Sequence, residues 1–239
     1  MNIILFDHLD ATNTLAATDY RARHIKGVLR LGVGEHFVAG VINGSSGTAT
    51  LLASDTEQLT FSYSAEAASE ALHPLTLIVV QVRPISMRRI LREAVSLGVG
   101  TLILSGADSV EKSYASAKLY SEGEYRSILI DGAMQSGKTA IPPVHFAHTI
   151  AEAIELAGSD AERIVMDNKE RGERLSTMVL EQEQPVVLAI GGERGFSDRE
   201  RSLFRDASYR FATIGERVLR TETAVSAATA VLLGRMGRI

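Results

Sequence analysis

From residue 75 onward, apolar runs of strand length alternate with amphipathic stretches of helix length. Leu75 to Val82 and Thr101 to Leu104 are continuous apolar runs, and Arg163 to Met166, Pro185 to Ile190 and Phe211 to Ile214 repeat the pattern. Between them, Ser86 to Leu97 carries apolar positions at helical spacing. Ser197-Asp198-Arg199-Glu200 opens a second helix, to Asp206, as a capping box in which the serine and glutamate side chains each satisfy a free backbone N–H. Such alternation predicts an α/β fold with a mostly parallel sheet and helices on both faces. A last helix runs to Leu233, opened by Thr221 or Thr223. Its small residues Ala224, Ala227, Ala228 and Ala230 allow another backbone to approach closely, so it is expected to be buried.

The first 70 residues read differently. Thr18 to Leu31 is one helical stretch, and Glu35 to Ile42 and Thr48 to Ser54 are apolar runs joined by Asn43-Gly44-Ser45-Ser46-Gly47, which predicts a β-hairpin. A further strand is expected near Leu59 to Tyr63, and Ser64 to Pro74 reads as a linker. The chain therefore divides into a small β-rich domain, 1–70, and a larger one, 71–239.

With 239 residues, 45% of them hydrophobic and 23% charged, the composition is that of an ordinary globular protein. No apolar run is long enough to span a bilayer, and Met1 to Leu9 lacks the basic start of a secretory signal. The absence of cysteine excludes disulfides, thiolate zinc sites and a cysteine nucleophile, and is compatible with the cytoplasm. No His or carboxylate cluster at ligand spacing suggests a metal. A net charge of −4 means that any contact with nucleic acid must come from a local patch. Arg21, Arg23, His24, Lys26 and Arg30 form such a patch, with no acid between Asp19 and Glu35. It is either a solvated helix face or a surface for RNA phosphates.

Three stretches carry candidate chemistry. Gly132-Ala133-Met134-Gln135-Ser136-Gly137-Lys138-Thr139 satisfies the P-loop pattern, and Ile128 to Ile130 would have to be its strand. The mechanism also needs a helix starting at Lys138-Thr139, and Pro142 and Pro143 forbid one. Ile128, Leu129 and Ala133 fit helical spacing better. The second stretch, Ile190 to Phe196, ends an apolar run in Gly191, Gly192 and Gly195. It is either a flexible turn or bare backbone at the carboxyl edge of a sheet, where open α/β folds bind ligands. The third, Ile214 to Ala224, places Arg217, Arg220 and Glu222 before the last helix.

Arg217-Val218-Leu219-Arg220-Thr221-Glu222-Thr223-Ala224 resembles the C-terminal signature of the bacterial methyltransferases that modify N3 of a uridine in small-subunit ribosomal RNA, members of the knotted SPOUT superfamily. His24-Ile25-Lys26-Gly27-Val28-Leu29-Arg30 and Met134 to Lys138 are similar to further phrases of that family. The resemblance implies a SPOUT methyltransferase domain with a C-terminal trefoil knot, preceded by a PUA-like β-barrel that binds RNA. It implies S-adenosylmethionine as cofactor, held by Met166, Ile190, Gly191, Gly192, Gly195, Ile214, Gly215, Val218, Leu219, Thr223 and Ala224. Arg220 would steady the charge that develops on the base, with Glu222 orienting Arg220 or accepting the proton. Arg21, Arg23, His24, Lys26, Arg30 and Arg88 would contact RNA, and the enzyme would be a cytoplasmic homodimer without metal or membrane attachment. The chain also departs from the family pattern. Gly192 stands in place of a proline and Arg194 in place of a glycine, and at Ala107-Asp108-Ser109 an expected Arg has become an acid. Arg194 is therefore expected to replace the missing cation. The same departures admit a diverged RNA-binding paralogue with lost or altered activity.

Overall fold

The computed structural model describes residues 2–181 and 183–239. They form two compact units, Met1–Ala71 with Ala133–Ile141, and Leu72–Gly132 with Pro142–Ile239.

In the first unit, β1 (Ile4–Phe6) and β2 (Thr12–Ala16) precede α1 (Tyr20–His24), and β3 (His36–Val41), β4 (Ser46–Ser54) and β5 (Gln58–Ala67) follow. The strands lie in the order β1-β3-β4-β5-β2, with β1 parallel to β3 and all other pairs antiparallel. Alternation along β4 buries Gly47, Ala49 and Leu51. The core is centred on Phe61, whose ring lies 5.4 Å from those of both Phe6 and Phe37. The helical reading of Thr18 to Leu31 resolves into α1, capped by Asp19, and a π-turn at Ile25–Leu29 that Arg30 ends in the left-handed conformation (φ 57°). Two expectations need correction. β1 and β2 were not anticipated, because three to five residues are too few to show a period. Ser64 to Pro74 is not a free linker: β5 stays paired with β4 as far as Ala67, and the next strand begins at His73.

The second unit is an alternating array. β6 (His73–Val80), α2 (Pro84–Ser96) and β7 (Val99–Ser105) are followed by α3 (Lys118–Ser121), α4 (Glu124–Ser136), β8 (Val144–Ala147) and α5 (Ile150–Ala157). Then come β9 (Glu162–Met166), β10 (Glu173–Arg174), β11 (Val186–Ile190), α6 (Asp198–Asp206), β12 (Arg210–Thr213) and α7 (Thr221–Arg235). The sheet order is β10-β12-β9-β11-β6-β7-β8, and every pairing is parallel. On one face Ile78, Val80, Val165, Val187 and Ala189 pack with residues of α5 and α6. The alternate residues Leu77, Val79, Leu188 and Ile190 are equally buried, and α2 and α7 pack together against β7 and β11.

The capping box at Ser197 is formed in full. The threonine cap is not: α7 begins at Thr221, its cap residue is Arg220, and no side chain caps it. β8 and α5 escaped the sequence pattern, since β8 is four residues long with His145 and Phe146 exposed. The P-loop reading is excluded. Ile128 to Ile130 lie in α4, the chain turns at Gly137 (φ 74°), and Lys138 pairs with Glu70 at 2.6 Å.

Phe204 has no exposed surface and lies between Phe196 and Tyr209, with ring centroids at 4.8 and 4.9 Å. Phe204→Ala should therefore cost about 3–5 kcal/mol, measured by urea unfolding. A loss below about 1 kcal/mol would contradict this packing.

Candidate active site

Parallel pairing brings the carboxyl ends of β6, β9, β11 and β12 to one edge of the sheet. The segments leaving those ends surround a cleft of about 920 Å³. Ten of the eleven residues expected to hold a cofactor line it: Met166, Ile190, Gly191, Gly192, Gly195, Ile214, Gly215, Val218, Leu219 and Ala224. Thr223, exposed on the first turn of α7, does not. Arg194, Arg220 and Glu222 line it as well.

The glycines have steric reasons. A Cβ on Gly191 would lie 3.2 Å from the Gly195 Cα, one on Gly192 would lie 3.0 Å from Val80 Cγ1, and Gly195 itself has φ 67°. At Gly215 a Cβ would meet no atom within 4 Å, so its absence leaves open space in the cleft. The β9 loop is fixed by Asp167, which is 5% exposed. One carboxylate oxygen accepts the N–H groups of Lys169 and Glu170 at 2.7 Å, and the other accepts Arg201 Nε at 3.0 Å. Arg201, 6% exposed, also reaches Asp198 at 2.9 Å, which ties this loop to the start of α6.

The charges do not pair as the sequence suggested. Glu222 is half-buried and lies 3.9 Å from Arg89, not against Arg220. The Arg194 and Arg220 side chains are exposed and bond to no other described residue. On the outer side of this pair, burial and the nearby Glu222 raise the Glu93 carboxyl above its ordinary value. Asp108 does not present a free acid to the cleft. Its carboxylate accepts the Ser197 hydroxyl at 2.6 Å and pairs with Arg199, and its N–H donates to Glu200 at 2.8 Å. Hydrogen bonds from Arg199 and then Ser197 hold it below the usual carboxylate range. Beside the large cleft lies a second cavity of about 400 Å³; Arg83, Gly192, Glu193 and Arg194 border both.

The residues expected to touch RNA separate into four groups. Arg21 is internal: Asp19 pairs with it at 2.7 Å, and its guanidinium sits 4.6 Å from the Phe6 ring centre. The patch thus has a local counter-charge, contrary to expectation. His24 is half-buried, its Nε2 lacks a partner among the described residues, and burial lowers its pKa below the ordinary value. Arg23, Lys26 and Arg30 remain exposed, Lys26 donating to the Asp55 carbonyl at 2.6 Å. Arg88 belongs to the second unit and makes two 2.7 Å bonds to Glu124. Arg83, Arg89 and Arg201 were missed, because isolated arginines at or within helices carry no pattern. No group of metal-ligating side chains occurs among the described residues, and no described helix is long and apolar enough to cross a membrane.

Residues 69–233 match the RNA methyltransferase domain family. The chain belongs to that family. Among relatives, it is 35% identical to the ribosomal RNA small subunit methyltransferase E of Treponema pallidum over 246 residues, covering 98% of this chain and 91% of the relative. It is 25% identical to ribosomal RNA small subunit methyltransferase E 1 of Borreliella burgdorferi, with 99% of each chain covered. Among solved structures, this family member is similar to the ribosomal RNA small subunit methyltransferase E of Neisseria gonorrhoeae bound to S-adenosyl methionine. There the TM-score is 0.82 at 25% identity, over 98% of this chain and 97% of the other.

Asp167→Asn should leave the buried Arg201 with only the exposed Asp198 as counter-charge and cost about 1.5–3 kcal/mol, measured by urea unfolding; a near-neutral effect would show that the pair is not structural. Asp108 has a depressed folded pKa, so its latch contributes stability above the ordinary value of 3.8 and loses it as pH falls through the lower folded value. The stability difference between wild type and Asp108→Asn should accordingly close in acid; a difference constant with pH would contradict the latch.

Proposed function

We propose that this protein transfers a methyl group from S-adenosylmethionine to N3 of a uridine in small-subunit ribosomal RNA, acting as a cytoplasmic homodimer. The observation that carries the reading is the meeting of the Gly191–Gly195 and Ile214–Ala224 segments around one cleft at the carboxyl edge of the sheet. Its volume suits a cofactor of this size, since such pockets span roughly 300–1,000 Å³. Val218, 77% exposed, and Ile85, 64% exposed, supply apolar surface that an adenosine would cover. Backbone groups of the two loops would hold the polar edges of the base, and Gly215 leaves the space it needs. The three named relatives, all called ribosomal RNA small subunit methyltransferases and one of them bound to S-adenosyl methionine, support the substrate and the cofactor.

When bound, the cofactor supplies an electrophilic methyl on a sulfonium. Uridine N3 holds its proton at neutral pH, so the chain must stabilise the anion that remains when the proton leaves. Arg220 and Arg194, unpaired among the described residues, are the cations proposed to face O2 and O4. Glu222, oriented by Arg89 rather than by Arg220, accepts the N3 proton. Gly191, Gly192, Gly215 and Val218 would hold the donor so that its methyl could pass to the deprotonated N3, with the neutral thioether as leaving group.

The same reading takes the path from β9 to α7 as the trefoil knot. In its support, β11 lies between β9 and β6, β12 lies beyond β9, and α7 packs beside Leu175–Thr177, which precedes β11 in the chain. It takes the five-stranded unit as the PUA-like barrel, and Arg23, Lys26 and Arg30 as its phosphate contacts.

Calorimetry should give saturable binding of S-adenosylmethionine and no heat with ATP. Mass mapping of ribosomal RNA from a deletion strain should show the loss of one N3-methyluridine, and an unchanged methylation map would sink the assignment. Arg194→Ala should lower methyl transfer at least about 100-fold while cofactor affinity stays intact, as expected for a group that meets only the developing charge; near-normal turnover would refute that role. Replacing Arg23, Lys26 and Arg30 together by Ala should reduce the slope of log affinity against log salt by about 2, and an unaltered slope would remove them from the RNA surface.

A further inference from the structure

The smaller cavity has a feature that folding alone does not explain. Gln81, directly after β6, is only 5% exposed, and its backbone N–H donates to the Ser105 carbonyl at 2.8 Å. Its side-chain amide forms no hydrogen bond with any other described residue, yet it lines the cavity of about 400 Å³. An amide that bonds to nothing within the fold and borders a cavity keeps two donors and an acceptor available to a molecule that enters it. The cavity shares Arg83, Gly192, Glu193 and Arg194 with the large cleft, so a molecule in one meets a molecule in the other at that wall. Tyr114 also lines the smaller cavity. Its hydroxyl accepts Arg83 Nε at 3.4 Å, and Arg83 in turn lies 3.5 Å from Glu193, so the wall is a connected polar string with an aromatic ring at its end.

Resting on the methyl-transfer reading above, we propose that this cavity is the acceptor pocket, which takes the target pyrimidine base turned out of its RNA strand, and that Gln81 reads its edge. Uracil presents a carbonyl oxygen on each side of N3. Donation from the Gln81 amide to one of them holds the base in plane and leaves N3 free to face the shared wall. The same bond strengthens as charge moves onto that oxygen, when the N3–H bond breaks and its proton passes to Glu222. N3 would thus sit where the two cavities adjoin, beside Arg194, with the donor methyl presented from the larger cleft and the thioether as its leaving group. Tyr114 supplies a ring on which a base stacks, as unpaired bases do on aromatic side chains. Extrusion of a base into a fitted pocket is the general solution for chemistry on an atom that strand structure would hide.

The test uses the full-length protein with small ribosomal subunits from a strain lacking the enzyme and radiolabelled S-adenosylmethionine. Gln81→Met keeps the length of the side chain and removes the donor. We expect kcat to fall by about 30-fold or more, cofactor Kd to stay within about twofold, and Tm to hold, because the amide makes no bond within the fold that the change would remove. Gln81→Glu should lose more activity than Gln81→Met, since a carboxylate opposes the developing charge. A kcat within twofold of wild type for Gln81→Met would overturn the proposal. So would a lowered Tm together with weakened cofactor binding, which would make Gln81 a structural residue. Wild-type protein that methylates no ribosomal RNA would instead defeat the methyl-transfer reading, before any variant is compared.

Discussion

The constraint on which the rest depends is the parallel pairing of β6, β11, β9 and β12. Parallel strands cannot be joined by tight turns, so each connection crosses a face of the sheet and every strand delivers its carboxyl end to the same edge. The site is a consequence: four segments far apart in sequence become walls of one cleft. β11 lies between β9 and β6 with five residues in register on each side, so its glycine loop emerges at the middle of that edge. Glycines there let backbone, rather than side chains, form the floor.

The loops are held by polar groups that pair with one another. Asp167 and Arg201 bind the β9 loop to α6, the capping box fixes the first turn of that helix, and Glu200 and Ser197 of the box also grip Asp108. One helix start thus positions three loops. The cations that face the cleft, Arg194 and Arg220, are left outside this network. That division separates residues that build the pocket from residues free to meet charge.

Much of this was legible in the sequence, for physical reasons that differ by element. Continuous apolar runs identified β6, β7, β9 and β11, since a strand buried on both faces tolerates little else, and Ser197 to Glu200 announced α6 through a local hydrogen-bond geometry. The two loops that line the cleft were singled out by an eight-residue phrase and by a glycine-rich strand end, not by periodicity. What stayed hidden was tertiary. β1 and β8 are too short to show a period, and the pairing of Arg21 with Asp19 and of Glu222 with Arg89 depends on side-chain directions that spacing does not fix. The P-loop match illustrates the converse, because its letters were present while the helix behind a phosphate cradle was forbidden by Pro142 and Pro143.

The central claim is that the two loops after β11 and β12 together enclose a sulfonium donor. Hydrogen exchange followed by mass spectrometry, with and without saturating S-adenosylmethionine, measures it most directly. The account predicts slowed exchange at residues 190–196 and 214–224, with weaker protection near 166–170 and none along 133–141. Protection of only one of the two loops, or of neither, would contradict it.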